Sequence, residues 1–352
     1  MQNRVNFLAS WALGLLAAAA LPAQAQVNGT ASSDRVLLVI SSNGADEGKT
    51  RPGFEMDELS QAYAVFTDNG LSVDIASPKG GLVVADKFNP EKSFNSRFTA
   101  DPVANAKLNA TLTLASVRDQ TYAAVFVVGG KGAMFDLPVD ADLKSLLAQT
   151  YERGGVISAV CHGPAALMNV PMKDGTSLIA GRAVTGLSNE EELLFGKRWI
   201  PMFPVLLEDG LRGAGARFSA APMMLNHVVT DGRIVTGQNP YSTFSTAEAV
   251  VRAMGRKVAP REPLAEERSI ALISQVLAGD VAAAQRSLKA NPAQYDVPLI
   301  AAWGLYRSKT PGGDRKLIEG AIAAMETALP HYDEPQLVTA IAEARGKLAD
   351  AK

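Results

Sequence analysis

The sequence predicts an α/β layer fold with a mostly parallel sheet, followed by a C-terminal α-helical extension. Two observations predict the sheet. Short, continuous apolar runs (Arg35 to Ser41, Ala123 to Val128, Gly155 to Val160) read as strands buried on both faces. Between them lie longer segments with apolar residues at helical spacing, and strands alternating with helices of this length give a parallel, layered sheet. A third observation predicts the extension. From Leu264 onward the strand-type runs vanish and alanine-rich helical spacing takes over. At 352 residues, 47% hydrophobic and 20% charged, the chain has material for a core and for about two domains.

Taken in order, Arg35 to Ser41 is the first strand. Glu58 to Asn69 is a helix with Leu59, Tyr63 and Phe66 on one face and Gly70 as its stop. Ser72 to Ala76 is a strand, closed by the turn Ser-Pro-Lys-Gly-Gly. Residues 82–103 show little periodicity and are expected to be irregular, and Asn105 to Ala115 is expected to be helical. The strand Ala123 to Val128 ends at Gly129-Gly130, and Asp142 to Arg153 is a helix. The strand to Val160 runs directly into Cys161, with a short helix expected over Pro164 to Met168. Further strands are expected near Ala183 to Thr185, His227 to Val229 and Ile234 to Thr236, then a helix from Ser245 to Met254. Past Pro260 to Pro263, helices are expected over Ile270 to Leu277, Val281 to Leu288 and Leu317 to Leu329. No second copy of any tail segment recurs at a fixed period.

The first 25 residues read as a secretory signal: Arg4, an apolar stretch from Phe7 to Leu21, then Ala23-Gln24-Ala25 as a cleavage signature. The apolar stretch is short for a membrane span. The expected divisions are therefore 1–25, 26–258 and 259–352, with a periplasmic or secreted mature protein and no membrane contact after cleavage. A formal charge of −2 gives no basic field for nucleic acid. One cysteine excludes an intrachain disulfide, and three histidines leave little for a metal centre.

Val156-Ile-Ser-Ala-Val-Cys161-His162-Gly163-Pro164 has the layout of a nucleophile elbow, a strand that turns sharply into a helix and exposes one side chain at the sheet's carboxyl edge. A helix N-terminus stabilises a thiolate, so Cys161 is expected to have a lowered pKa.

Ala159-Val-Cys-His-Gly-Pro-Ala165 resembles the elbow of the ThiJ/PfpI superfamily, whose fold is the flavodoxin-like, class I glutamine amidotransferase-like sandwich. Four further stretches resemble its branch of glyoxalase III enzymes and heat-shock holding chaperones: Gly53-Phe-Glu-Met-Asp-Glu58, Ala76-Ser-Pro-Lys-Gly-Gly81, Gly129-Gly-Lys-Gly-Ala-Met-Phe-Asp136 and Thr236-Gly-Gln-Asn-Pro240. The resemblance covers about residues 35–255. It implies Cys161 as nucleophile, His162 as its partner and Glu58 as the acid beside it, with Asp57 and Glu55 as near neighbours. It implies Glu192 as the acid that orients His162, with Glu191 as the second choice. Backbone amides near Gly129, Gly130 and His162 are the implied oxyanion site. Where many relatives carry histidine this chain has Lys131, either a cationic substitute or a surface lysine. No metal site is implied here; His227 is expected to be structural.

Two readings follow from the resemblance. The first is a cofactor-free glyoxalase that converts a small α-oxoaldehyde such as methylglyoxal to a hydroxy acid through Cys161 and Glu58. Gly129-Gly-Lys-Gly132 does not fit a dinucleotide fingerprint, and the adjacent His162 makes glutamine amidotransferase activity the poorer fit. The second is an exported stress protein, a holding chaperone or thiol sensor using the same site. The helical tail is expected to serve a homodimer or a protein partner.

Overall fold

The computed structural model describes residues 34–310 and 314–350. The expected signal segment, residues 1–25, lies outside them. Among the described residues no helix is long and apolar enough to cross a membrane.

Among the described residues nine strands form two sheets. They are β1 (Arg35–Val39), β2 (Ser72–Ser77), β3 (Leu112–Thr113), β4 (Ala124–Val127), β5 (Val156–Val160), β6 (Ala183–Val184), β7 (Arg217–Phe218), β8 (Val228–Asp231) and β9 (Ile234–Gly237). The main sheet runs β3-β2-β1-β4-β5-β9-β8, and β6 pairs with β7 apart from it. Every pair in the main sheet is parallel except β8 with β9. Val36 to Val39 in β1 and all of β4 are fully buried, because helices cover both faces of a parallel sheet. Sequence order reverses beside β1, whose neighbours are β2 and β4. Connections leave the sheet in opposite directions there and open a crevice at the strands' carboxyl ends.

Two expectations need correction. The stretch 82–103 is not wholly irregular, since it contains the helix Ser93–Ala100. Phe94 and Phe98, one turn apart, reach Phe244 and Tyr63 edge to face at 6.0 and 5.0 Å. Two aromatics suffice to hold a short helix when the partner surface is already in place. The next helix is Pro102–Asn109, not Asn105 to Ala115. Asp101 caps it by accepting from the Val103 and Ala104 amides, and Pro102 sits in the first turn. The chain then enters the edge strand β3 and the short helix Leu114–Val117.

Among the described residues the tail has five α-helices, Ala265–Leu277, Val281–Ala290, Val297–Lys309, Arg315–Ala328 and Pro335–Asp350. They enclose a second apolar cluster around Trp303, Ile273, Ile300 and Met325, which also takes in Met224 and Leu225 from the α/β part.

Candidate active site

Cys161 follows β5 with φ of +58°, in the left-handed region that L-residues other than glycine rarely adopt. Hydrogen bonds on both sides hold this turn: the Cys161 amide donates to the Gly237 carbonyl at 3.0 Å, and the Leu187 amide donates to the Cys161 carbonyl at 2.9 Å. The sulfur is thereby fixed at the carboxyl edge of the sheet.

His162 and Glu192 complete a line with it. His162 Nδ1 lies 3.4 Å from Cys161 Sγ, and His162 Nε2 lies 2.6 Å from Glu192 Oε2. A proton on Nε2, shared with the carboxylate, leaves Nδ1 as an acceptor facing the thiol. Of the two glutamates left open by the sequence, Glu192 reaches the histidine. Glu191 turns the other way, accepting from the Met224 amide, Asn239 Nδ2, Gln238 Nε2 and the Ser188 amide and hydroxyl. Ser188 and Glu191 form a capping box at the start of the helix Asn189–Phe195, which fixes the phase of that helix. Gly196 leaves room for Glu192, because a Cβ there would stand 1.8 Å from Glu192 Oε1.

Glu58 approaches from the first turn of the helix Met56–Asp68 and is fully buried. Its Oε2 accepts from the Gly129 amide at 2.6 Å, while Oε1 has no partner of ordinary hydrogen-bond geometry. The loop before it is tied to the turn after β4: the Glu55 amide donates to the Gly129 carbonyl and the Gly132 amide to the Gly53 carbonyl. Asp136 anchors that turn in its own right, accepting from Ser41 Oγ and the Ser42 amide. Gly130, at φ of +91°, makes the backbone reversal that a side chain would block against the Gly53 carbonyl.

Burial pushes the Glu58 carboxyl well above the ordinary carboxylate range, with Glu55 adding to the rise. The expected lowering of the Cys161 thiol is not found. Burial first, then the Glu58 carboxylate, push the thiol well above its usual value, while the Gly130 amide pulls the other way. Two features explain the reversal. The segment after Cys161 is a five-residue 3-10 turn, Gly163–Leu167, not an α-helix with a full dipole. The thiol itself is only 5% exposed. Both groups of the pair are thus pushed toward their protonated forms, burial being the larger cause for each.

A pocket of about 340 Å³ opens over the sulfur, with Gly130, Lys131, Cys161, His162 and Glu191 among its lining. Lys131 stands on this wall rather than on the outer surface. Glu55 and Asp86 also line the pocket; sequence reasoning ranked Glu55 only as a neighbour of Glu58 and passed over Asp86. Burial, then Asp57 and Asp86, raise the Glu55 carboxyl to about 7 against the opposing pull of Lys131. Asp57 faces away, held by Lys92 and Asn95. Asn239, in a stretch quoted for its resemblance, and Phe195, Met224 and Tyr306 also reach the pocket. His227 sits against Ser219 Oγ at 3.1 Å, away from the pocket lining.

Comparison with known proteins gives consistent results. The chain is 33% identical to the glutathione-independent glyoxalase hsp3101 of Schizosaccharomyces pombe, over 63% of this chain and 96% of that protein. The crystal structure of glyoxalase III from Candida albicans superposes with a TM-score of 0.56 at 29% identity, covering 62% of this chain and 96% of that one. The Francisella tularensis Rapid Encystment Protein 24 KDa gives a TM-score of 0.59 at 34% identity, covering 62% and 98%. The DJ-1/PfpI family profile matches residues 50–253. Since that span is more than half of the chain and holds Glu58, the elbow at Cys161 and Glu192, this chain belongs to the DJ-1/PfpI family.

Proposed function

We propose that the chain is a glutathione-independent glyoxalase, converting an α-oxoaldehyde and water to an α-hydroxy acid with Cys161 as nucleophile. The observation that carries this reading is a fully buried Glu58, its carboxyl pushed above the ordinary range, beside a cysteine whose proton has an acceptor in His162 Nδ1. Relatives named glyoxalases support it.

The steps balance within the site. Sulfur adds to the aldehyde carbon, the thiol proton passes to His162, and Glu58 protonates the aldehyde oxygen, giving a hemithioacetal. Glu192 steadies the imidazolium. The Glu58 carboxylate then takes the hydrogen from that carbon while His162 protonates the neighbouring oxygen, giving an enediol. Glu58 delivers its proton to the second carbon and His162 accepts the hydroxyl proton of the first, leaving a thioester. Water, deprotonated by Glu58, releases the hydroxy acid, and His162 returns the proton to sulfur. One carbon is oxidised as its neighbour is reduced, so no external oxidant enters. The Gly130 amide, which faces the sulfur, and Lys131 on the wall supply positive potential as charge develops on oxygen.

A thiol-sensor role draws no support from a sulfur that is buried and raised in pKa, since sensors are exposed and acidic. The test is a panel of α-oxoaldehydes without glutathione, assayed with the wild type, Cys161→Ala and Glu58→Gln. Each variant should lose at least about 10²–10⁴-fold in kcat. A Glu58→Gln protein that keeps wild-type turnover ends this mechanism, and holding activity that survives in an inactive Glu58→Gln isolates any chaperone role.

Export is part of the same proposal and rests on Ala23-Gln24-Ala25 after the apolar stretch. Protein recovered from an export-competent host should begin at Gln26; one beginning at Met1 would remove the periplasmic assignment.

A further inference from the structure

The pocket over Cys161 is larger than a three-carbon dicarbonyl requires. Its volume of about 340 Å³ falls among sites that enclose drug-sized ligands, roughly 300–1,000 Å³. Part of its wall also comes from outside the family-matched residues. Tyr306, on the tail helix Val297–Lys309, lies well beyond residue 253, where the family match ends. Tyr306 meets Phe195 edge to face, with ring centroids 5.9 Å apart at 86°. Tyr306 is 40% and Phe195 44% exposed, so the pair leaves apolar surface wet at the pocket. Leu187 and Met224 add apolar lining to a pocket that also holds Cys161, His162 and Lys131.

The pair is held in place from below. Trp303, one turn before Tyr306, is fully buried and donates through Nε1 to the Met223 carbonyl at 2.9 Å. Arg307 pairs with Glu190 on the helix that carries Phe195. The tail helix is thus docked on both elements that form the apolar side.

We propose that Tyr306 and Phe195 seat the variable group of the substrate, so that the site is built for α-oxoaldehydes bearing an aromatic or bulky apolar substituent. The proposal rests on the glyoxalase reading for the reaction and on the tail for the selectivity. The dicarbonyl end meets Cys161 and the substituent covers the two rings. The reaction is the one already written, with water as the only co-reactant.

The full chain, Tyr306→Ala and Tyr306→Phe are assayed with phenylglyoxal and methylglyoxal, with kcat and KM read separately. In parallel, Cys161 alkylation is followed with N-phenylmaleimide and N-methylmaleimide. The wild type should prefer phenylglyoxal by about tenfold or more in kcat/KM. Tyr306→Ala should remove most of that preference through a higher KM for phenylglyoxal, and Tyr306→Phe, which keeps the ring, should retain it. Equal losses on both aldehydes, or a preference that survives Tyr306→Ala, overturns the seat. If neither aldehyde turns over, the glyoxalase reading falls and the maleimides decide the seat. A phenyl-over-methyl rate ratio that collapses in Tyr306→Ala supports it. A ratio left unaltered, or a Cys161 that reacts with neither reagent, overturns it.

Discussion

The α/β unit and the helical tail are organised on different terms. In the first, large apolar side chains from parallel strands fill the core, and the polar groups of the site are buried and tied to backbone atoms: Glu58 to Gly129, Glu191 to Met224, Cys161 to Gly237. In the second, alanines and a few large residues pack helix against helix; Tyr306 lines the pocket, Trp303 and Arg307 dock its helix, and Met224 of the pocket wall packs into the tail's apolar cluster. The difference separates two jobs. Positions that must be held to a fraction of an ångström sit where the backbone fixes them, and enclosure is supplied by a layer with looser geometric demands.

That division can be broken most forcefully at Trp303. Trp303→Ala should cost about 3–5 kcal/mol, read by chemical denaturation, through the cavity it leaves and the orphaned Met223 carbonyl. If the tail only encloses, kcat on a small aldehyde should fall less than in a variant that moves Glu192. Gly196→Ala is that variant. Its new Cβ forces the Glu192 carboxyl aside, and kcat should drop by about 10–100-fold, while stability changes less than in Trp303→Ala. Finding the two kcat losses equal would place the tail within the chemistry.

The smallest effect concerns pH. Glu55 ionises at about 7 in the folded protein against an ordinary 4.5. The unfolded chain therefore gives up this proton first, and stability is lost as pH rises from about 4.5 through 7. Because Glu55 is partly open to the pocket, the contribution is on the order of 1–2 kcal/mol. Melting curves between pH 5 and 8 should show a shallower decline for Glu55→Gln than for the wild type. Identical slopes would mean that the carboxyl is already solvated.

The parallel sheet was readable because strands buried on both faces leave continuous apolar runs, and the elbow because such a run ends on Cys161. Glu192 was half readable. The capping box Ser188-x-x-Glu191 is visible in the sequence and commits Glu191 to the helix start, which leaves Glu192 for the histidine. The thiol pKa was misjudged because burial and the neighbouring carboxyl are tertiary facts, and a run of small residues does not reveal whether a full α-turn follows. Val297–Lys309, the tail helix that matters most to the pocket, left little periodic signal. It packs against tail helices on one side and against Met223, Phe195 and Glu190 on the other, so apolar residues occur around its whole circumference.

Chain order gives the tail a further consequence. Synthesis runs from the N-terminus, and domains generally fold as they emerge. The strand that carries Cys161 is made some 140 residues before Trp303 and Tyr306. Until the tail is made, the pocket over the thiol lacks Tyr306 from its wall. The wall over the sulfur is complete only once the helix Val297–Lys309, in the last quarter of the sequence, has been made.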